Sequence, residues 1–337
     1  MIITKTPFRM SFFGGGTDMP EVFNEMGGAV LSTTFDKYCY VTVRHLPPFF
    51  EYTTELVYSK IEQLDDLANM EHPLVKNAMK YLDMHELRIN YESDLPARTG
   101  LGTSSSFAVG LLNAFYALKG KYVSKKKLAD DAIFVERELC KEKGGWQDQI
   151  AASFGGFNRI NFASNGYEVQ KVIISPEKKK ALNNNLLLFF TGLKRYSSEI
   201  QASTEATIAD KKAQLKNMLN LVDEAQNVLT DKDRSLDDFG RLLDETWKLK
   251  RQTGAKISNG SIDELYDKAI KAGALGGKLL GAGGGGFLLF YVQPEKRTQV
   301  LDAMKELLYV PFEFENGGTR VIYYTPEFYD PNLRREK

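Results

Sequence analysis

The sequence predicts an α+β protein built as two domains. Three observations predict it. The chain has 337 residues, more than one ordinary core uses. Segments rich in β-branched and aromatic residues are mixed with segments whose apolar residues recur at helical spacing. A polar break, carrying Lys178–Lys180 and Asn183–Asn185, interrupts them near the middle and puts the boundary between 1–182 and 183–337.

Taken in order, Met1–Phe13 reads as a strand that stops at the glycines beginning with Gly14. Gly28–Pro47 has strand composition, as two strands or one long bent one. Pro73–Met84 predicts a short helix and Leu87–Pro96 a strand halted by proline. Leu111, Leu112, Phe115 and Leu118 share a helical stripe that Gly120 closes. A second helix begins after Ser124, with Leu128, Ala132, Val135 and Leu139 on one face, and stops at Gly144–Gly145. "WQDQIAAS" is a short helix and "FNRINF" a strand. The polar break itself reads as a solvated face or linker. Leu186–Gly192 is a fully apolar strand. Helices follow over about 202–229, 236–252 and 262–272. Gly286–Val292 and Thr319–Thr325 are strands with a helix, Pro294–Leu308, between them.

Composition excludes several classes. Lys plus Arg is 44 and Asp plus Glu is 44, so the formal charge is zero. Nucleic acid and anionic membranes need a basic excess, so neither is expected as a partner. No run approaches about 18 apolar residues, so no membrane span is expected. The N-terminus lacks an apolar secretion core, and Cys39 and Cys140 lack paired spacing, so a cytoplasmic protein with reduced thiols is expected. Only His45, His72 and His85 could supply imidazole chemistry, and the last two read as surface loop residues.

Three glycine-rich loops carry the chemistry. In "LPARTGLGTSSSF" (Leu95–Phe107) a strand ends, Gly100 and Gly102 turn the chain around Leu101, and a helix opens among Thr103, Ser104, Ser105 and Ser106. Unpaired N–H groups and the helix dipole make such a start an anion site. One serine is enough to cap a helix, so four hydroxyls exceed that need. A Walker A loop is excluded, because Gly277–Lys278 is followed by Leu279. In "KLLGAGGGGFLLF" (Lys278–Phe290), Gly281, Gly283 and Gly286 match GxGxxG by letter, yet they open into a strand, which removes the dinucleotide reading. With Gly284, these form a turn that could be structural or could support a neighbouring phosphate loop. The "DFG" at Asp238–Gly240 lies in a helical stretch with no partner motif. The third loop, "FFGGGTDMP", sets Gly15, Gly16, Thr17 and Asp18 after a strand. Asp18 suits sugar hydroxyls better than phosphate, since a carboxylate accepts hydrogen bonds and repels another anion. From this stretch alone, an ordinary turn and a binding loop are equally admissible.

Asp148 stands at a helix start after Gly144–Gly145, where it caps the helix or orients a hydroxyl. Glu136 lies twelve residues earlier beside an apolar stripe, exposed or pointing inward. Phosphoryl transfer needs positioning, charge neutralisation and a group to orient the nucleophile. A phosphate loop, Glu136, Asp148 and Arg9 would form such a set.

Together, "PFRMSFFGGGTDMP", "LPARTGLGTSSSF" and "KLLGAGGGGFLLF" resemble, in the same order, the three motifs of the GHMP family of small-molecule kinases. The resemblance implies an N-terminal ribosomal S5 domain 2-like domain and a C-terminal ferredoxin-like domain. It implies ATP phosphates on the second loop, Mg2+ on Ser104 and Glu136, Asp148 near the reacting hydroxyl and Arg9 beside it as the first motif's arginine. Thr103 and Ser105 are close enough to Ser104 to leave the register open. Galactokinases carry Glu and His where this chain has Gly15 and Gly16. The pattern FxGGGTDxP is similar instead to family members that phosphorylate the anomeric hydroxyl of D-glycero-D-manno-heptose 7-phosphate, and to fucokinase domains. A distal phosphate would need a cation, such as Arg195, Lys194 or Arg98. The expected activity is therefore an ATP- and Mg2+-dependent sugar 1-kinase with a small-molecule partner, and the assembly could be a homodimer. L-fucose, galactose or a non-catalytic sugar sensor are the alternatives.

Overall fold

The computed structural model describes residues 1–97, 99–192, 208–252, 257–281 and 283–328, with side chains from 212 onward in the segment that starts at 208. β1 (Ile2–Phe13) runs into the first glycine loop and α1 (Pro20–Met26) follows it. β2 (Gly28–His45) is a single strand. A hairpin of β3 (Thr54–Val57) and β4 (Ile61–Leu64) precedes α2 (Pro73–Tyr81) and β5 (Leu87–Ser93). The helical layer is α3 (Thr103–Leu118), α4 (Lys125–Ile133), a π-helical turn (Phe134–Leu139) and α5 (Gln147–Phe154). Next come β6 (Asn158–Ala163), β7 (Gly166–Lys171), α6 (Pro176–Asn185) and β8 (Leu186–Phe190). The helices α7 (Ile208–Thr230), α8 (Asp237–Gln252) and α9 (Gly260–Lys271) lead to β9 (Ala274–Leu279) and β10 (Phe287–Val292). The chain closes with α10 (Arg297–Ala303), β11 (Leu308–Tyr309), β12 (Phe314–Glu315) and β13 (Arg320–Tyr324).

Two sheets result. The larger has the order β13-β1-β2-β5-β3-β4, with β6, β7 and β12 joined through β2. β2 is long enough to serve three partners on one side. Gly28–Ser32 pairs with β6, Thr34 and Phe35 with β12, and Cys39–His45 with β5. β1 lies along its other side, with register shifts between Pro7/Phe8 and Ser11/Phe13 that bend both strands. The smaller sheet, β11-β8-β10-β9, is antiparallel and nearly all apolar.

α3 is the hub of the first sheet's core. Almost every residue from Phe107 to Leu118 is buried. It sits close on β1 because Gly110 has no side chain: a Cβ there would lie 2.7 Å from Thr6 Oγ1. Thr4 Oγ1 donates to Gly110 O at 2.9 Å and Ser106 Oγ donates to Pro7 O at 3.0 Å. These bonds fix where the N-terminus of α3 meets Arg9. A second core joins the two sheets, with Phe8, Phe12 and Leu31 against Leu188, Phe287 and Leu289.

Several elements differ from the sequence expectation. The polar run at 178–185 is helix α6. Asn183 and Asn185 are buried because their amides bond Phe312 O and Tyr291 Oη. The helix after Ser124 passes into the π turn at Phe134 and ends at Leu139 instead of reaching Gly144. The helix expected over 294–308 is shortened to α10, behind a 3-10 turn at Pro294–Lys296. β3, β4, β7 and β9 are strands the sequence reading did not place. His72 is not an open loop residue: its ring packs edge-on to Tyr58 and Phe107.

The C-terminal chain returns across the boundary expected at 182/183. β13 pairs antiparallel with β1, and β12 with β2. The edge of β1 has backbone groups that need partners, and the last strand supplies them. Glycines let that return pass α5: a Cβ on Gly155 would lie 2.0 Å from the Gly317 carbonyl carbon. Gly155→Ala should therefore cost more than about 2 kcal/mol in urea unfolding, from backbone collision at a left-handed position. A loss below about 0.5 kcal/mol would show that the return strand is not held there.

Candidate active site

Three loops converge at the C-terminal end of β1. The phosphate-type loop and the third glycine loop touch backbone to backbone. A Cβ on Gly281 would lie 2.2 Å from Gly100 Cα, and one on Gly286 would lie 2.2 Å from Thr99 O. A Cβ on Gly283 would likewise lie 2.7 Å from Ile257 Cα, and Gly284 N donates to Ile257 O at 3.0 Å. The second and third motifs thus form one packed junction.

At α3, Gly102 takes the N-cap position in a left-handed conformation, and no side chain caps the helix. The four hydroxyls expected at this start divide their roles. Ser104 is exposed at the first turn. Ser105 is buried and hydrogen-bonds Glu136. Ser106 is used by Pro7 O, Thr103 is buried, and the Leu101 side chain lies in the core. An arriving anion would meet uncapped N–H groups and Ser104.

Arg9 projects from β1 into this junction and is almost fully buried. Its Nε donates to Asp148 Oδ1 at 2.7 Å, its Nη2 lies 2.6 Å from the same oxygen, and its Nη1 donates to Gly100 O at 2.7 Å. Asp148, in the first turn of α5, is the more exposed partner. Because Arg9 grips Oδ1, Oδ2 lies toward Gly102, 3.4 Å from where a Cβ would stand. One guanidinium therefore links the acid, the phosphate-type loop and β1.

The first glycine loop is self-supporting. Thr17 Oγ1 donates to Gly14 O at 2.8 Å and Ala29 O at 3.0 Å, and accepts from Ala29 N at 3.1 Å. Thr17 is wholly buried, so its side chain locks the loop and does not reach outward. Asp18 accepts from Gly16 N at 2.9 Å and Gln147 N at 3.4 Å, in space that Gly145 leaves: a Cβ there would lie 1.8 Å from Asp18 Oδ2. Burial raises its pKa above the usual carboxyl value, and the charge of nearby Asp148 adds to that. A carboxylate has about four acceptor positions, so capacity remains after two backbone bonds.

Glu136 sits on the π-helical turn, 1% exposed, facing Ser105 and Gln149, whose Nε2 donates to it at 2.5 Å. Burial pushes its pKa up to about 7. A buried carboxyl beside a serine hydroxyl and an uncapped helix start fits Mg2+, which uses one or two carboxylates with substrate phosphates. No group of three or more His, Cys, Asp or Glu that could cage a metal occurs among the described residues.

Two lysines at the site were not singled out in the sequence. Lys278 of β9 is buried and donates to Phe12 O at 2.7 Å. Burial lowers its pKa well below the ordinary value. Its signal was present: a lysine within "ALGGKLL", otherwise an apolar strand. Lys250 of α8 donates to Gly281 O. Its pKa falls to about 8, first from burial and then from the charge of Arg9, with Asp18 opposing. Among Lys248, Lys250 and Arg251 nothing in the sequence marks it. Arg98, Lys194 and Arg195 lie outside the described residues.

The chain is similar to known proteins in sequence and in structure. The profile described as GHMP kinases N terminal domain matches residues 73–156, and GHMP kinases C terminal matches 222–310. A D-glycero-alpha-D-manno-heptose 7-phosphate kinase of Campylobacter jejuni is 30% identical, over 95% of this chain and 98% of its own. A bifunctional fucokinase/GDP-fucose pyrophosphorylase of Arabidopsis thaliana is 25% identical over 88% of this chain and 30% of its own. A crystal structure of a D-glycero-D-manno-heptose 1-phosphate kinase from Bacteroides thetaiotaomicron superposes with a TM-score of 0.78 at 24% identity, covering 98% and 100% of the two chains. Among the described residues no helix is long and apolar enough to cross a membrane.

The Glu136 proton has a measurable consequence. With its folded pKa raised to about 7, the metal-free protein keeps a proton that the unfolded chain releases. Stability from this group is full below about pH 4 and is lost as pH rises through about 7. Glu136→Gln removes that loss. The melting temperature of the metal-free variant should gain on the wild type between pH 5 and pH 8, while Mg2+-supported turnover falls at least ~10-fold. A constant gap across that range would show that Glu136 keeps an ordinary carboxyl pKa.

Proposed function

The chain belongs to the GHMP kinase family, a phosphotransferase with an alcohol group as acceptor, and we propose that it uses ATP and Mg2+ to phosphorylate the anomeric hydroxyl of D-glycero-D-manno-heptose 7-phosphate, giving the 1,7-bisphosphate. The observation that carries the reading is the Arg9–Asp148 pair set between the phosphate-type loop and the first glycine loop. It is joined by similarity to the Campylobacter jejuni heptose phosphate kinase along almost the whole of both chains.

In this reading the nucleotide phosphates rest on the N-terminus of α3, with Gly100 and Gly102 allowing close approach. Mg2+, held by Glu136 with Ser104 or Ser105, would neutralise phosphate charge. Asp148 Oδ2 accepts the proton of the anomeric hydroxyl as that oxygen attacks the γ-phosphorus in line and the bond from that phosphorus to the bridging oxygen breaks, releasing ADP. Arg9 keeps Asp148 oriented and adds positive charge at the transferring group. Asp18 and the backbone of Gly15–Gly16 hold ring hydroxyls.

Gly15 supports the choice of a bulky sugar. Gly14 and Gly16 have φ of +79° and +102°, which favour glycine, and a Cβ on Gly14 would strike Ala29 O at 1.9 Å. Gly15 has neither constraint: its nearest neighbours would be Ser11 Oγ at 3.7 Å and Gln147 Nε2 at 3.9 Å. The fold tolerates a side chain there, so its absence is consistent with room left for substrate. L-fucose is the second reading, favoured by the fucokinase relative.

A phosphorylation screen decides between them. Turnover should be highest with heptose 7-phosphate, above heptose, L-fucose, galactose and mannose, with NMR placing the new phosphate at the anomeric carbon. Asp148→Asn should lower turnover at least ~100-fold with the fold intact. Preference for L-fucose would reject the heptose assignment, and near-normal turnover in Asp148→Asn would reject the proton-acceptor role.

A further inference from the structure

The structure assigns a further residue to phosphoryl transfer. We propose that Lys250 contacts the transferring γ-phosphoryl group, leaving the Gly281 carbonyl for a phosphate oxygen when nucleotide binds. This rests on the kinase reading above.

The geometry begins with the loop junction. Arg9 Nη1 donates to Gly100 O, and Lys250 Nζ donates to Gly281 O. Gly100 and Gly281 are in backbone contact, so the two cations bond carbonyls of residues that touch across one seam. Arg9 arrives from β1 and Lys250 from α8, so each unit of the chain contributes one. Lys250 also lies within electrostatic reach of Asp18 on the first glycine loop. The ammonium therefore stands where the phosphate-type loop meets the loop proposed for the sugar, the place the γ-phosphate must occupy to meet its acceptor.

The chemistry fits that place. A phosphate oxygen is a stronger, charge-assisted acceptor for a buried ammonium than the Gly281 carbonyl. Burial and Arg9 hold the amine's proton loosely, while an anion would hold it more firmly. Arg9 is already committed to Asp148 and Gly100, so a second cation is needed for charge that develops on the γ-phosphoryl oxygens. Lys278 does not supply it, since its ammonium is buried against Phe12 O.

Nucleotide binding tests this apart from sugar turnover. Wild type, Lys250→Met and Lys250→Arg are titrated by calorimetry with Mg2+ and either ADP or a non-hydrolysable ATP analogue. Lys250→Met keeps the aliphatic stem, and its melting temperature reports folding. The expected result is a loss of at least ~10-fold in affinity for the triphosphate analogue, with ADP affinity within ~2-fold, and partial recovery in Lys250→Arg. Turnover with the best sugar from the screen should fall at least ~30-fold in Lys250→Met, chiefly in kcat. Equal loss for both nucleotides, or no loss for either, would overturn the assignment. So would a defect confined to KM for a sugar phosphate, which would make Lys250 a reader of the substrate's own phosphate. If the wild type binds nucleotide but acts on no tested sugar, the sugar reading fails while the nucleotide comparison still decides the role of Lys250. Should Lys250→Met fail to fold, Lys250→Arg alone decides: an unchanged triphosphate preference with turnover within ~2-fold of wild type rejects a positional role, and a drop in both with native stability supports it.

Discussion

The site depends on one constraint, the contact of two glycine loops at backbone distance. Neither Gly100 nor Gly281 could carry a side chain without pushing the other away. That contact brings β9 and β10 of the second sheet against the start of α3 on the first. Once it is made, the carbonyls of both glycines lie side by side, and the cations that bond them are brought together. The phosphate-type loop is thus shaped from outside, by a loop nearly two hundred residues later in the chain.

The charges around this seam are balanced in an uneven way. Arg9 compensates Asp148 directly, which keeps that carboxylate oriented. Among the described residues Asp18 has no such cation bonded to it; it accepts from backbone N–H groups and feels a more distant attraction to Lys250. Glu136 faces an amide and a hydroxyl. Burial therefore holds Asp18 and Glu136 in conditions that favour the neutral form. In the proposed reading Asp148 accepts a proton, Glu136 takes up a cation, and Asp18 bonds hydroxyls.

Much of this was legible in the sequence, because the motifs demand particular backbones. Glycines before a serine-rich helix start point to an anion-binding loop from residue types alone, whereas Glu136 and Asp148 stand out through the family resemblance, which their twelve-residue interval suits. What the sequence could not allot was helical phase. Thr103 to Ser106 look equivalent as letters, yet successive residues turn by about 100°, so one is exposed, one meets Glu136 and one bonds Pro7. Thr17 misled for a related reason. It stands within a binding-type motif, but its hydroxyl closes the loop on Ala29. The π turn that aims Glu136 inward has no signature in composition, and the return of β13 to β1 depends on a pairing between the two ends of the chain.

Lys250 and Lys278 show how a charge is hidden at two levels. Lys278 interrupts an apolar strand, so its burial could be inferred, though its partner could not. Lys250 lies in the last turn of an amphipathic helix whose neighbours Lys248 and Arg251 bond Asp244 and Asp263. A cation near a helix C-terminus is ordinary on a surface, because it complements the dipole. Only the fold reveals that this one turns away from those acids and toward the seam. Its position follows from the glycine contact: α8 packs on β9, β9 carries Gly281 into place, and the end of the helix then reaches the same carbonyl. The arrangement that makes the phosphate-type loop close-packed is thus the one that delivers a second cation to it.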